Sequence, residues 1–270
     1  MKIRVPKGAC DTHMHIYDAA VPGAPGTFVP GHFPVEEYVA MQRRLGLERV
    51  IVVQPNAYAD DNTVTLNAMR GLGKGAKGVA VVKPTVKDAE LERLTKAGIC
   101  AVRIMTLHGG LLGFDVMDAV MARVHPFGWH ANIQLDGREL PRYEAQIERL
   151  PGKCVIDHTG KFLEPVAPDH AAFKSLLRLV DTGRCWVKLS APYETSKTGA
   201  PKYEDVGRLA KALVKHAPDR MLWASNWPHP SARPNVPDDA ELLELLGDWA
   251  PEETTQRKIL SDNPTELYRF

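Results

Sequence analysis

Cysteine is scarce: four in 270 residues, at 10, 100, 154 and 185, with no C-x-x-C and no zinc-ribbon spacing. That scarcity excludes a disulfide-stapled scaffold and a cysteine-rich metal site, and it predicts free thiols acting as small buried hydrophobes. An excess of either charge is missing too, since 34 Lys+Arg stand against 33 Asp+Glu and leave +1. Nothing in that balance draws the chain to nucleic acid or to an anionic membrane surface. The opening MKIRVPKGACD lacks an apolar h-region. No apolar run approaches the roughly 18 residues of a membrane span, so a cytoplasmic protein with no membrane partner is expected. Low-complexity tracts, internal repeats and long linkers are also absent. One domain over residues 1–270 is therefore expected, although a simple length rule of about 150 residues per domain would suggest two.

What is present is ordinary globular composition, with 44% hydrophobic and 25% charged residues. Short β-rich runs recur at 9–15, 49–54, 78–83, 99–104, 130–135, 153–158, 185–190 and 221–226. Helical stretches separate them. VEEYVAMQRRLG follows Pro34 and stops at Gly46, and 88–98 opens acidic and closes on Lys96 and Gly98, as the helix dipole and glycine caps require. Similar signals bound helices over 115–128, 168–183, 203–218 and 238–249. Alternating strand and helix implies parallel strands with helical crossovers. Eight such units in about 250 residues suit an α/β fold of the (β/α)8 TIM-barrel type. The rival doubly wound sheet loses support because no G-x-G-x-x-G or P-loop follows any run.

Three Pro- and Gly-rich stretches, 18–34, 191–202 and 227–237, follow the first, seventh and eighth runs. In a barrel these loops crown the C-terminal face, where active sites sit. The strand ends feeding that face are polar. Period two puts His13 and His15 on one side of the first strand. Two neighbouring imidazoles inside a barrel are costly to desolvate without partners or a task. Gln54, Asn56 and Tyr58 follow the second run, Arg103 ends the fourth and Gln134 the fifth. Asp157-His158 ends the sixth, Ser190 and Tyr193 follow the seventh, and Ser225-Asn226 closes the eighth before His229.

These residues carry a resemblance. The D-T-H-x-H opening, D-H-x-G at 157–160 and W-x-S-x-W-P-H at 223–229 are similar to the amidohydrolase superfamily, and more narrowly to its 2-pyrone-4,6-dicarboxylate lactonase-like branch. The resemblance spans the chain from residue 11 to 229 in barrel order. Metal-dependent members of the superfamily add a bridging Lys or Glu on strand four and a histidine on strand five. Here Arg103 and Gln134 stand at those places, and Arg has no lone pair for a metal. His13, His15 and His158 could still hold one zinc. The lactonase branch includes enzymes that act without metal, so the expectation is no metal and no cofactor.

Strand eight departs from the branch. The branch reads S-D-W-P-H, with the aspartate resembling the base that activates water; this chain has Asn226. A carboxamide has no useful basicity near neutral pH, so hydrolysis should be poorly catalysed. A hydroxyl already attached to the substrate suffers less, since intramolecular groups reach effective molarities on the order of 10⁵–10⁸ M. The expected enzyme is a lactone isomerase of carbohydrate metabolism, converting an aldaric 1,5-lactone to the 1,4-lactone. Its catalytic set would be His13, His15 and His158, aimed at the lactone carbonyl, with Asn226. Arg103 would hold a carboxylate, and Asn56, Gln134, Tyr193 and His229 would contact a small sugar-acid lactone. The alternatives are a sugar-acid or dicarboxylate lactonase using another base, such as His229, and a lactone-binding protein without activity. Nothing in the sequence speaks to oligomeric state.

Overall fold

The computed structural model of the chain describes residues 3–232 and 234–270. Arg233, within the expected loop 227–237, lies outside the described residues. Eight parallel strands pair in sequence order: β1 Cys10–Met14, β2 Arg49–Val53, β3 Ala76–Ala80, β4 Ile99–Met105, β5 His130–Gln134, β6 Cys154–Ile156, β7 Cys185–Leu189 and β8 Met221–Trp223. The seam between the ends of the sheet is joined by main-chain bonds. Asn226 N–H donates to the His13 carbonyl at 2.9 Å, and His15 N–H to the Trp227 carbonyl at 2.8 Å. The sheet thus closes into the barrel expected from the alternation.

The crossover helices are α1 Val35–Leu45, α2 Thr63–Leu72, α3 Asp88–Lys96, α4 Phe114–Val124, α5 Leu140–Glu148, α6 Ala171–Asp181, α7 Glu204–His216 and α8 Asp239–Trp249. Two short helices, α9 Glu253–Arg257 and α10 Asn263–Tyr268, flank a π-helical turn at Lys258–Asp262. Gly46 caps α1 in the left-handed region at φ 74°, where glycine has no Cβ penalty. Asp238 caps α8 by accepting from the N–H groups of Ala240 and Glu241. Sequence reading named neither α2 nor α5. The first opens on Thr63-Val64-Thr65, whose β-branched side chains read as strand, and its burial against the barrel overrides that preference.

Strand alternation builds two apolar layers. Val50 and Val52 point outward into the core shared with the helices, whereas Ile51 and Val53 point inward. Cys10, Val79, Ala101, Val155, Trp186 and Leu222 join the inward set, and Leu267 and Tyr268 of α10 pack against it. On the outer face, α6 buries Phe173, Leu176, Leu179 and Val180, each contributing about 1.5–3 kcal/mol. Strand β3 sits two residues earlier than its apolar run suggests. Ala76 and Lys77 pair with Val50 and Ile51, while Val81 and Val82 leave the strand but stay buried. No described helix is long and apolar enough to cross a membrane.

Candidate active site

The first strand needs a bulge to aim its histidines. Asp11 pairs with Val50 but Met14 with Val52, so three steps on β1 oppose two on β2. The irregularity turns Asp11 outward and His13 inward. Asp11 then works as a clamp at the seam. Its carboxylate accepts from Tyr38 Oη at 3.1 Å, from Ser225 Oγ at 2.5 Å and from the N–H groups of His13 and Ser225. Burial pushes its pKa up to about 6 against those stabilising donors. Thr12 adds a bond from Oγ1 to the Trp223 carbonyl. Trp227 packs against Tyr38, ring centroids 5.6 Å apart. Most of the D-T-H-x-H and W-x-S-x-W-P-H residues therefore join β1 to the end of β8.

Behind the histidines lies a residue that sequence reading passed over. Lys188 of β7 is fully buried inside the barrel. Its Nζ contacts Asn132 Oδ1 at 2.6 Å and His13 Nδ1 at 3.1 Å, and forms an ion pair with Asp157 Oδ1 at 3.0 Å. Asn132 Nδ2 also donates to Asp157 Oδ2 at 2.8 Å. Burial raises the Asp157 pKa, but Lys188, and after it His13, outweigh that and hold it well below the usual carboxylate range.

This anchor assigns the tautomers. His15 Nδ1 lies 2.7 Å from the Val53 carbonyl, which only accepts, so His15 carries its proton on Nδ1. Its Nε2 then accepts from His13 Nε2, 3.2 Å away. His13 must accept on Nδ1, and Lys188 is the donor there. The opposite arrangement, with His13 Nδ1 donating to Asp157 at 3.4 Å, would set the His15 lone pair against the Val53 carbonyl. Burial lowers the His13 pKa to about 4, and burial likewise holds the His15 pKa well below normal, so both rings are neutral near pH 7.

The ring nitrogens of His13 and His15 are spent on this relay, leaving neither an N–H to offer a lactone carbonyl. His13 is also fully buried, behind His15 and off the cavity wall. His158 differs: Nδ1 contacts Ser190 Oγ at 2.9 Å, and the ring lines the cavity with Nε2 uncommitted.

Metal binding can be tested on the same atoms. His13, Asp157 and His158 each offer a ligand atom within 4.8 Å of the others. The Lys188 ammonium already engages two of them, His13 Nδ1 at 3.1 Å and Asp157 Oδ1 at 3.0 Å, so a divalent ion held there would sit beside a like charge. With Lys188 in place, these three residues do not fit a metal ion.

The cavity itself, about 440 Å³, opens at the C-terminal ends of the strands. That volume is in the range of small-molecule sites. Arg103 rises into it from β4. Its Nη1 donates to the Gln54 carbonyl at 2.9 Å and Asn56 Oδ1 at 3.2 Å, and Nη2 donates to Gln134 Oε1 at 2.9 Å. Asn56 and Gln134 thus hold the guanidinium as well as lining the cavity. Arg103 Nε has no partner, and no carboxylate among the described residues pairs with this buried cation. Gln54 turns outward and bonds Thr65 and the carbonyls of Ala59 and Asp61.

On the opposite wall, Asn226 Nδ2 donates to Tyr193 Oη at 2.8 Å and Glu194 Oε1 at 3.2 Å. Tyr193 Oη contacts His229 Nδ1, and His229 Nε2 contacts Asp239 Oδ1 at 3.0 Å. Tyr193 and His229 therefore stand behind Asn226, off the cavity wall. Lys161 pairs with Glu194 Oε2 at the rim, a pair absent from the sequence expectations. Burial lowers the Lys161 pKa to about 8, with Asp157 opposing. His158, Thr159, Lys161, Asn226 and His229 all take φ between 48° and 62°. Left-handed non-glycine residues are costly and cluster at functional sites. The loops after β1, β7 and β8 supply Phe28, Pro30, Glu194, Pro230 and Ser231 to the wall, so the three long stretches meet on one face. A second cavity of about 380 Å³ lies at the other end of the barrel, beside His130, Lys153 and Tyr268.

Comparison with known proteins agrees with this architecture. The family model described as amidohydrolase matches residues 10–270. The chain is 37% identical to a D-galactarolactone isomerase of Agrobacterium fabrum (strain C58 / ATCC 33970), over 98% of this chain and 92% of that protein. It is 33% identical to a 2-pyrone-4,6-dicarboxylate hydrolase of Comamonas testosteroni, over 99% and 92%. An apo crystal structure from Agrobacterium tumefaciens superposes with a TM-score of 0.91 at 36% identity, covering 98% of this chain and 97% of that one. The β1 pair, the D-H-x-G turn and the β8 terminus thus sit in a shared barrel, and this chain belongs to the amidohydrolase family.

Proposed function

We propose that this enzyme isomerises an aldaric 1,5-lactone, D-galactaro-1,5-lactone being the compound to test first, to the 1,4-lactone. One observation carries the reading. The cavity joins a buried guanidinium lacking a carboxylate partner, Arg103, to a carboxamide, Asn226, where the lactonase branch has a basic aspartate. The first fits a substrate with a free carboxylate, and the second disfavours attack by water.

In the reaction the C4 hydroxyl adds to the C1 carbonyl, and the tetrahedral intermediate expels O5. No water, oxidant or cofactor enters, and one proton moves from O4 to O5. His158 Nε2 donates to the carbonyl oxygen as charge develops there. Arg103 grips the carboxylate through Nε and its unspent Nη2 proton. Asn56 and Gln134 keep the guanidinium plane in place and reach the hydroxyls. His15 forms the wall against the lactone ring, and His13 positions His15 from behind. Asn226 orients the substrate hydroxyls, with Tyr193 and His229 holding it. The free thiols of all four cysteines support a cytoplasmic setting for such a step in carbohydrate metabolism.

Hydrolysis is the second reading, and Glu194 favours it, because this carboxylate residue lines the cavity beside Asn226. Proton NMR of the protein with D-galactaro-1,5-lactone separates the two. The 1,4-lactone is the expected first product. Open diacid as the first product would overturn the proposal in favour of a lactonase, and an unchanged spectrum would leave a binding protein.

A further inference from the structure

We propose that Lys161 and Glu194 are the proton-transfer pair of this site, with Glu194 taking the proton from the attacking hydroxyl and Lys161 giving one to the leaving ring oxygen. The inference rests on the isomerase reading and supplies what it lacks, a route for the proton. His13 and His15 cannot provide one, locked as they are between Lys188 and the Val53 carbonyl; His158 is aimed at the carbonyl oxygen, and Asn226 neither gains nor loses a proton.

Both members of the pair line the cavity, and both side chains are about nine-tenths buried, at 10% and 9% exposure. Counting lone pairs shows what each has left. Glu194 Oε1 accepts from Asn226 Nδ2 and Ser231 Oγ, whereas Oε2, itself buried, meets only Lys161 among the described residues and keeps a lone pair. Lys161 spends one of three ammonium protons on Glu194 and makes no other side-chain bond among the described residues. Among the described residues, one acceptor and two donors of this cavity-lining pair are therefore unspent. Such buried capacity is normally satisfied. Both residues also sit on or next to left-handed turns, Lys161 at φ 48° and Glu194 three residues after Ala191 at φ 49°. The turns after β6 and β7 thus bring together two residues 33 positions apart in sequence.

The step balances. As O4 bonds to C1, its proton passes to Glu194 Oε2. As the C1–O5 bond breaks, O5 takes a proton from Lys161, leaving a neutral amine beside a protonated carboxyl. A proton crossing the Lys161–Glu194 contact restores the starting pair. A cation and an anion sharing one proton suit transfer between two oxygens of one substrate, which needs a base and an acid in sequence. Burial eases the Lys161 side of the exchange by lowering its pKa to about 8.

The test is steady-state kinetics of Glu194→Gln and Lys161→Met with D-galactaro-1,5-lactone, alongside the unaltered chain. Each variant should lose about 10²–10⁴-fold in kcat, the range for removing a general acid or base, with KM changed less than about threefold. The unaltered chain should show an alkaline limb in kcat/KM near pH 8, set by Lys161 in the free enzyme, and Lys161→Arg should move that limb upward. Loss of rate with the limb unmoved would mark the pair as structural scaffolding and overturn the inference. Retention of kcat within about threefold in either variant would overturn it too. Should Glu194→Gln fail to fold, the Lys161→Arg profile decides alone. If the unaltered chain forms no 1,4-lactone, the isomerase reading fails as well, which separates the two failures.

Discussion

Lys188 Nζ and His13 Nδ1 stand 3.1 Å apart, the side chains of β7 and β1 meeting inside the barrel with no access to solvent. A donor-only ammonium against an imidazole nitrogen leaves one protonation pattern, and that pattern passes through His13 and His15 to the Val53 carbonyl. Lys188 thus places an ammonium beside the His13 and Asp157 atoms a metal would need.

Lys188→Met should break this arrangement at both ends. Asp157 would lose its cation, and an uncompensated buried charge costs about 3–5 kcal/mol. Urea unfolding should show that loss, and adding Asp157→Asn should recover part of it by removing the stranded charge. With His15 no longer pinned, kcat should fall on the order of 10²-fold, as a displacement of about 1 Å can cause. A Lys188→Met protein as stable and active as the parent would refute the anchoring role.

Chelation should leave activity intact. EDTA-treated protein dialysed against metal-free buffer is expected to keep its rate, because Lys188 already engages His13 and Asp157. Loss of rate on chelation, restored by zinc, would contradict this.

Arg103→Met should raise KM by roughly 10- to 100-fold, since hydrogen bonds to charged groups contribute about 1.5–3 kcal/mol each. Arg103→Lys should recover little, because an ammonium cannot reproduce the fork held by Gln134 and Asn56. KM values within threefold of the parent in both variants would remove Arg103 from the substrate contacts.

Asn226→Asp should raise the ratio of open diacid to 1,4-lactone at early times by supplying a base for water. The gain should fall short of the full 10²–10⁴ range of general-base effects. Asn226 donates to Glu194 Oε1 at 3.2 Å, so the new carboxylate would face another and the two would share a proton. Adding Glu194→Gln should raise the ratio further, by removing that repulsion and slowing isomerisation. A ratio unmoved in both folded variants would show that this position does not select between water and the internal hydroxyl.

Stability should fall as the pH drops from 7 to 4. Burial lowers the folded-state pKa of His13 to about 4 and of His130 to about 3, and holds His15 and His158 well below normal. In the unfolded chain these rings titrate near 6.5. Between those values the unfolded state binds more protons, so stability is fully present above about pH 6.5 and drains away on acidification. Asp11, raised to about 6, acts in the opposite direction, as one carboxyl against four imidazoles. Urea midpoints measured across this range should decline with acid; a flat or rising series would contradict the burial of these rings.

Sequence alone determined the barrel, the inward pair at β1 and the face where the long loops gather. These follow from period-two alternation, helix caps and connection rules, all local properties of the chain. It also determined that Asn226 is not a base, because that is a property of the carboxamide itself. The signal for Lys188 was present, a lysine between Val187 and Leu189 in a strand buried on both faces, where a charge must be paired. Its partners could not be read, because they come from β1, β5 and β6. Tertiary structure alone decided that His13 lies behind the cavity, that its tautomer is set by an ammonium, and that Lys161 meets Glu194. Hydrogen-bond direction and proton affinity depend on which atoms converge within about 3 Å, and barrel closure brings together residues from strands and turns far apart in sequence.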